Sequence, residues 1–142
     1  MISSRLTGRD SLLFVYGTLR PFADISMAKW LRDVARYLGP ARARGRLYDL
    51  GAYPGMKGPR GRGDQVVGDV YRIVNPHVLR VLDRYEAGAA RSKPRFVRAR
   101  CMVRLDRGGR RAAWTYAYCC SVVSAARIAS GDYRLHCQIR GR

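Results

Sequence analysis

The chain has 142 residues, 47% of them apolar, and a formal net charge of +18 from 28 basic and 10 acidic side chains. This length and apolar content suit one domain, residues 1–142, with a real core, and exclude a disordered tail. The basic residues run from Arg5 to Arg142 without a long block of like charge, which excludes a basic arm; with no recognisable binding motif beside them, nucleic acid is not the expected primary partner.

Residues 1–10 are polar, and the apolar run after them is too short for a signal-peptide core. The longest uncharged run, residues 112–126, has 15 residues, includes Tyr and Ser, and falls short of a membrane span. A cytoplasmic protein with no membrane partner is expected.

Leu12, Leu13, Phe14, Val15 and Tyr16 read as a buried strand that runs straight into Gly17 and Thr18. Glycine lets the backbone turn and lets another molecule come close. The amides of Gly17, Thr18 and Leu19 can then converge on an anion such as a carboxylate. An ordinary glycine turn at a strand end would use the same residues.

Asp24 is a candidate N-cap for a helix beginning at Ile25. Its apolar positions are Ala28, Leu31, Val34, Ala35 and Leu38, and Gly39-Pro40 is the expected stop. Residues 44–50 read as a strand, 51–55 as a turn holding Tyr53, 58–64 as a glycine-rich loop and 65–74 as the next strand. Asn75-Pro76 starts a second helix, which runs to about Glu86 and ends at Gly88. Leu79, Leu82 and Glu86 share one face of it. The only glutamate of the chain thus lies on an apolar stripe, in the last turn of a helix.

Residues 96–105 alternate. Val97, Ala99, Cys101, Val103 and Leu105 form one face; Phe96, Arg98, Arg100, Met102 and Arg104 form the other. A hairpin turn at 106–110 leads into a return strand, residues 112–120, with Trp114, Tyr116 and Tyr118 on one face. Its other face is largely uncharged too, which suits a sheet curled into a barrel with helices outside. The tail from Ser124 holds a short segment and then Ser130-Gly131-Asp132-Tyr133.

Cys101, Cys119, Cys120 and Cys137 form no C-x-x-C pair and read as reduced, half-buried thiols. His136 beside Cys137 fits no usual zinc spacing, so no metal is expected. His77, just inside a helix start, reads as solvated.

Glu86 carries the functional argument. The helix macrodipole and burial both disfavour its charge and raise its pKa toward the range of a general base near neutral pH. The structural alternative is an ion pair with Arg91 or Arg95.

Five motifs follow one another in order: Tyr16-Gly17-Thr18-Leu19-Arg20, Arg46-Leu47-Tyr48-Asp49-Leu50, Gly51-x-Tyr53-Pro54-Gly55, Leu82-Asp83-x-Tyr85-Glu86 and Trp114-x-Tyr116-x-Tyr118. With Ser130-Gly131-Asp132-Tyr133 behind them, they resemble the gamma-glutamylcyclotransferase-like family, which includes the AIG2-like proteins. The resemblance runs from about Leu12 to Tyr133. It implies an α+β fold, a mixed β-barrel with packed helices. It implies Glu86 as the catalytic acid and base, and a substrate site from Tyr16, Gly17, Thr18, Leu19, Tyr53, Pro54, Trp114, Tyr116 and Tyr118. The reaction implied is attack of a gamma-glutamyl compound's own α-amine on its γ-carbonyl, releasing 5-oxoproline and an amine or amino acid. The implied partner is that small molecule, with no metal and no cofactor. The family often has glycine directly after the glutamate, where this chain has Ala87 and then Gly88. Two other readings use the same residues: a non-catalytic small-molecule binder on this fold, and a basic RNA-associated protein with a vestigial cavity.

Overall fold

The computed structural model describes residues 11–21, 23–87 and 94–140. In chain order its elements are strand β1 (Ser11–Val15), helix α1 (Ser26–Val34), strands β2 (Arg36–Arg44), β3 (Arg46–Asp49), β4 (Pro54–Lys57) and β5 (Gln65–Ile73), helix α2 (Pro76–Ala87), strands β6 (Phe96–Leu105), β7 (Arg110–Tyr118) and β8 (Ala126–Ile128), and helix α3 (Tyr133–Ile139).

β1 is apolar at successive positions because both of its faces are covered. Leu12, Phe14 and Tyr16 join one core cluster with Ala41, Val66, Val70 and Val103. Leu13 and Val15 join a second cluster with Leu31 of α1 and Val78, Leu79 and Leu82 of α2. The first cluster fills the barrel, and the second lies between the barrel and the two helices. The barrel closes in the order β1-β5-β2-β6-β7. Its neighbours are antiparallel except β1 and β7, which run parallel and close it at Leu13 and Trp114. A separate antiparallel sheet, β4-β3-β8, packs Leu47, Met56 and Ile128 onto the interior cluster. The fold is therefore the expected mixed barrel with packed helices.

Several boundaries differ from the sequence expectations. α1 stops at Val34, and Gly39-Pro40 lies inside β2 rather than ending a helix. Gly39 has φ +128° and sits at a register shift in the β2–β5 pairing. Such a bulge accepts both the glycine and the proline that follows, so the breaker pair marks a bulge here. Ile25, not Asp24, precedes α1 and makes no side-chain cap; Asp24 pairs with Lys29 at 2.9 Å instead. The strand expected over 44–50 is two strands parted at Gly45, where the chain leaves the barrel for the second sheet. Pro54 and Gly55, read as part of a turn, begin β4. α3 had no counterpart in the sequence reading. It is capped by Asp132, which accepts from the Leu135 N–H, and Asp49 holds it through His136 Nε2 at 2.8 Å and through Arg140. Asn75 behaves as expected and accepts from the His77 N–H at 2.9 Å. Gly88, the expected end of α2, lies outside the described residues.

Candidate functional site

The site grows from the end of β1. After Val15 the chain turns through residues 17–20, closed by the Arg20 N–H donating to the Gly17 carbonyl at 3.1 Å. The turn presses against β4. A Cβ on Gly17 would stand 2.6 and 2.8 Å from Pro54 Cγ and Cδ, so only glycine allows this approach. The amides of Gly17, Thr18 and Leu19 find no acceptor among the described residues. Three successive donors without partners form a ready seat for an anion.

Two side chains of the Tyr16–Arg20 motif lock the turn in place. The Tyr16 hydroxyl donates to the Tyr116 carbonyl at 2.5 Å and accepts from the Met56 N–H at 3.2 Å, tying β1 to β7 and β4. Burial, then the nearby Glu86 charge, pushes the Tyr16 pKa far above the ordinary tyrosine value, so this hydroxyl stays protonated. Arg20 is buried and donates to Asp69 at 2.8 Å and to Asp132, the α3 cap, at 3.1 Å. Asp69 also accepts from the Tyr37 hydroxyl at 2.5 Å. Arg20 and Asp132 belong to two separate motifs of the sequence, and their ion pair joins the turn to the tail.

Beside the turn is a cavity of about 290 Å³. Tyr16, Gly17, Thr18 and Leu19 line it from β1 and the turn, and Tyr53 and Pro54 from the start of β4. Glu86 and Tyr85 enter it from the last turn of α2, and Tyr116 from β7. Trp114 and Tyr118 do not line it, which corrects the expectation for these two. They share a face with Tyr116, but each stands two residues away along the strand, about 7 Å. Trp114 lies beneath the guanidinium groups of Arg98 and Arg100, 4.6 and 4.9 Å from its ring centroid. Tyr118 packs on Phe96 and on Gly55, where an added Cβ would meet it at 2.9 Å. Tyr116 is fixed by its hydroxyl, which donates to Asp83 at 2.6 Å, and Asp83 is held in turn by Arg98 at 2.9 and 3.2 Å.

Glu86 continues the stripe of Leu79 and Leu82 and is half-buried. It has no ion-pair partner among the described residues. Burial pushes its pKa up to about 7. Arg95, one of the two partners considered for it, lines the same cavity but donates instead to the Tyr53 hydroxyl at 2.7 Å. Arg91, the other, lies outside the described residues. Arg95 and Phe96 are cavity residues that the sequence reading did not assign to the site. The alternation of β6 put Phe96 among arginines, and nothing local in the sequence marks it as a wall.

The arrangement thus places the Gly17–Leu19 turn, whose amides have no acceptor among the described residues, and a carboxyl group of near-neutral pKa on one small cavity with aromatic walls. That suits binding a carboxylate-bearing small molecule and moving protons on it. Among the described residues no helix is long and apolar enough to cross a membrane.

Solved structures share this fold. YkqA from Bacillus subtilis is 25% identical, with a TM-score of 0.71; the match covers 92% of this chain and 42% of YkqA, so the chain spans about two fifths of that protein's length. An AIG2-like protein from Mus musculus is 20% identical, with a TM-score of 0.65 and 81% of each chain covered. A gamma-glutamyl cyclotransferase is 17% identical, with a TM-score of 0.57 and 78% of this chain and 67% of that one covered. No curated protein sequence is similar enough to the chain to count as a match. Residues 13–135 match the family described as gamma-glutamyl cyclotransferase, AIG2-like, a span that holds β1, the Gly17 turn, Glu86 and the Asp132 cap, and the chain therefore belongs to that family.

Proposed function

We propose that this protein is a gamma-glutamyl cyclotransferase, releasing 5-oxoproline and an amine or amino acid from a gamma-glutamyl substrate. One observation carries the reading: the chain's single glutamate, with its pKa raised to about 7, shares a cavity with Gly17, Thr18 and Leu19, three successive residues whose amides find no acceptor among the described residues. The amides of Gly17, Thr18 and Leu19 hold the substrate α-carboxylate. Tyr53, Pro54 and Tyr116 wall its aliphatic part. The substrate folds back so that its α-amine meets its γ-carbonyl carbon, which is catalysis by proximity and orientation.

The new C–N bond closes the five-membered ring, and the old C–N bond to the leaving amine breaks. Glu86 takes the proton from the attacking nitrogen and delivers it to the leaving nitrogen, so the carboxylate ends as it began. A group of pKa near 7 suits both halves of that transfer. Free cysteines fit a reducing compartment, and the proposal places the reaction in the cytoplasm.

The test is a panel of gamma-glutamyl amines, gamma-glutamyl amino acids and gamma-glutamyl peptides incubated with the chain and assayed for 5-oxoproline. Product from at least one member is the expected result. Ligands that bind with no product from any member would leave a binder on the same fold and overturn the catalytic reading.

A further inference from the structure

A second cavity shares no residue with the one just described. β2 and β6 pair only where Ala41, Arg42 and Ala43 face Leu105, Arg104 and Val103. Beyond that stretch the strands part, and a groove of about 550 Å³ opens between them. Its floor is small or apolar, with Ala99, Cys101, Val103 and Ala117. Its charged lining is Arg42, Arg44, Lys57, Arg100, Arg104 and Arg110, and no carboxylate lines it.

None of these six cations takes part in the eight ion pairs found among the described residues. Three of them stand in a row across the sheet: Arg42 faces Arg104 on β6, and Arg104 faces Arg110 on β7. Like charges directly opposite on neighbouring strands destabilise the pairing. An arrangement that is unfavourable when empty becomes favourable when an anion lies along it. The other three cations are held in position by neighbours that bear no charge. Arg100 rests on the Trp114 ring at 4.9 Å, Lys57 lies over the Tyr118 ring at 5.6 Å, and Arg44 donates to the Gly61 carbonyl at 3.3 Å. Trp114 and Tyr118, absent from the first cavity, thus orient cations at the second.

We propose that this groove is a binding site for a short run of phosphates, with the row of Arg42, Arg104 and Arg110 along the phosphates and the apolar floor beneath the organic part. The ligand chemistry is that of a nucleotide, carried by a free nucleoside polyphosphate or by single-stranded RNA.

Three probes distinguish the sources: a nucleoside triphosphate, inorganic tripolyphosphate and a short single-stranded RNA. Each is titrated into the full chain by calorimetry at physiological salt. A double variant, Arg42→Gln with Arg104→Gln, is compared with a charge-matched control, Arg36→Gln with Arg80→Gln, at exposed positions outside the groove. Hydrogen bonds to charged groups imply a loss of about tenfold or more in affinity for the groove variant. The control changes little. Lysine at both groove positions retains binding, and the Gln pair melts no earlier than the parent because a repulsion has been removed. Tighter binding of the triphosphate supports a nucleotide site; tighter binding of the RNA supports the same site on a nucleic acid. Equal losses in groove and control variants would assign the binding to net charge and overturn the proposal, as would no binding of any probe. The outcome is independent of 5-oxoproline formation.

Discussion

Replacing Glu86 by Gln reads the site through stability and turnover at once. Burial raises the Glu86 pKa from 4.5 to about 7. The unfolded chain gives up this proton near pH 4.5 and the folded chain only near pH 7. Between those values the folded state binds more protons, so stability is highest below the window and falls as pH rises through it. The whole displacement corresponds to about 3 kcal/mol above pH 7, an upper bound for a half-buried group. Glutamine has nearly the same shape and cannot ionise, so the variant escapes that loss. The two proteins should be equally stable at about pH 3.5, below the window, where the Glu86 carboxyl is neutral in the folded and the unfolded chain alike. At about pH 8 the variant should be more stable by about 1–2 kcal/mol, or about 3–6 °C in Tm for a chain of this size. Turnover should move the other way, falling about 10²–10⁴-fold with loss of the base. Wild-type kcat/KM should rise with pH and level off above about 7, where the carboxylate is free to accept. Thermal melts at the two pH values, paired with 5-oxoproline production, check both halves. A variant that melts earlier than wild type at the higher pH yet turns over normally would make Glu86 a structural anchor and refute the reasoning.

Three further substitutions probe the frame around it. Gly17→Ala drives a Cβ to within 2.6 Å of the Pro54 ring and should cost about 1–3 kcal/mol of stability, seen by thermal melt. By shifting the turn it should also lower kcat/KM by about 10²-fold. Arg20→Met leaves Asp69 buried without its ion partner and should cost about 3–5 kcal/mol in a urea titration. Trp114→Ala should leave kcat/KM for cyclotransfer essentially unchanged, because Trp114 is not on the cavity; a loss as large as that of Glu86→Gln would refute the placement of this ring.

The Glu86 stripe and the Gly17 turn were legible because their signals are local. Consecutive apolar residues followed by glycine specify a strand running into a turn, and Asn75-Pro76 specifies the start of α2 and with it the face on which Glu86 falls. The barrel was legible from strands uncharged on both faces, since only cover on both sides tolerates that pattern. Gly39-Pro40 misled because a helix stop and a β-bulge ask for the same residues, and the difference lies in whether β5 is alongside. α3 went unread because it has only seven residues and is held by Asp49, far away in the chain.

Which aromatic of β7 meets the cavity was decided by the tertiary structure alone. Trp114, Tyr116 and Tyr118 share one face, and the position of α2 and β4 along the strand selects Tyr116. The partner of Arg95 was decided the same way, by Tyr53 arriving from 42 residues away, which leaves Glu86 without a counter-ion among the described residues. The Arg20–Asp132 pair spans 112 residues. By itself the sequence determined which residue types face which side of each element, because that follows from the 3.6-residue and two-residue periods. Only packing determined which of those faces meet, because contacts between distant segments depend on register and closure of the barrel, which no short window of sequence contains.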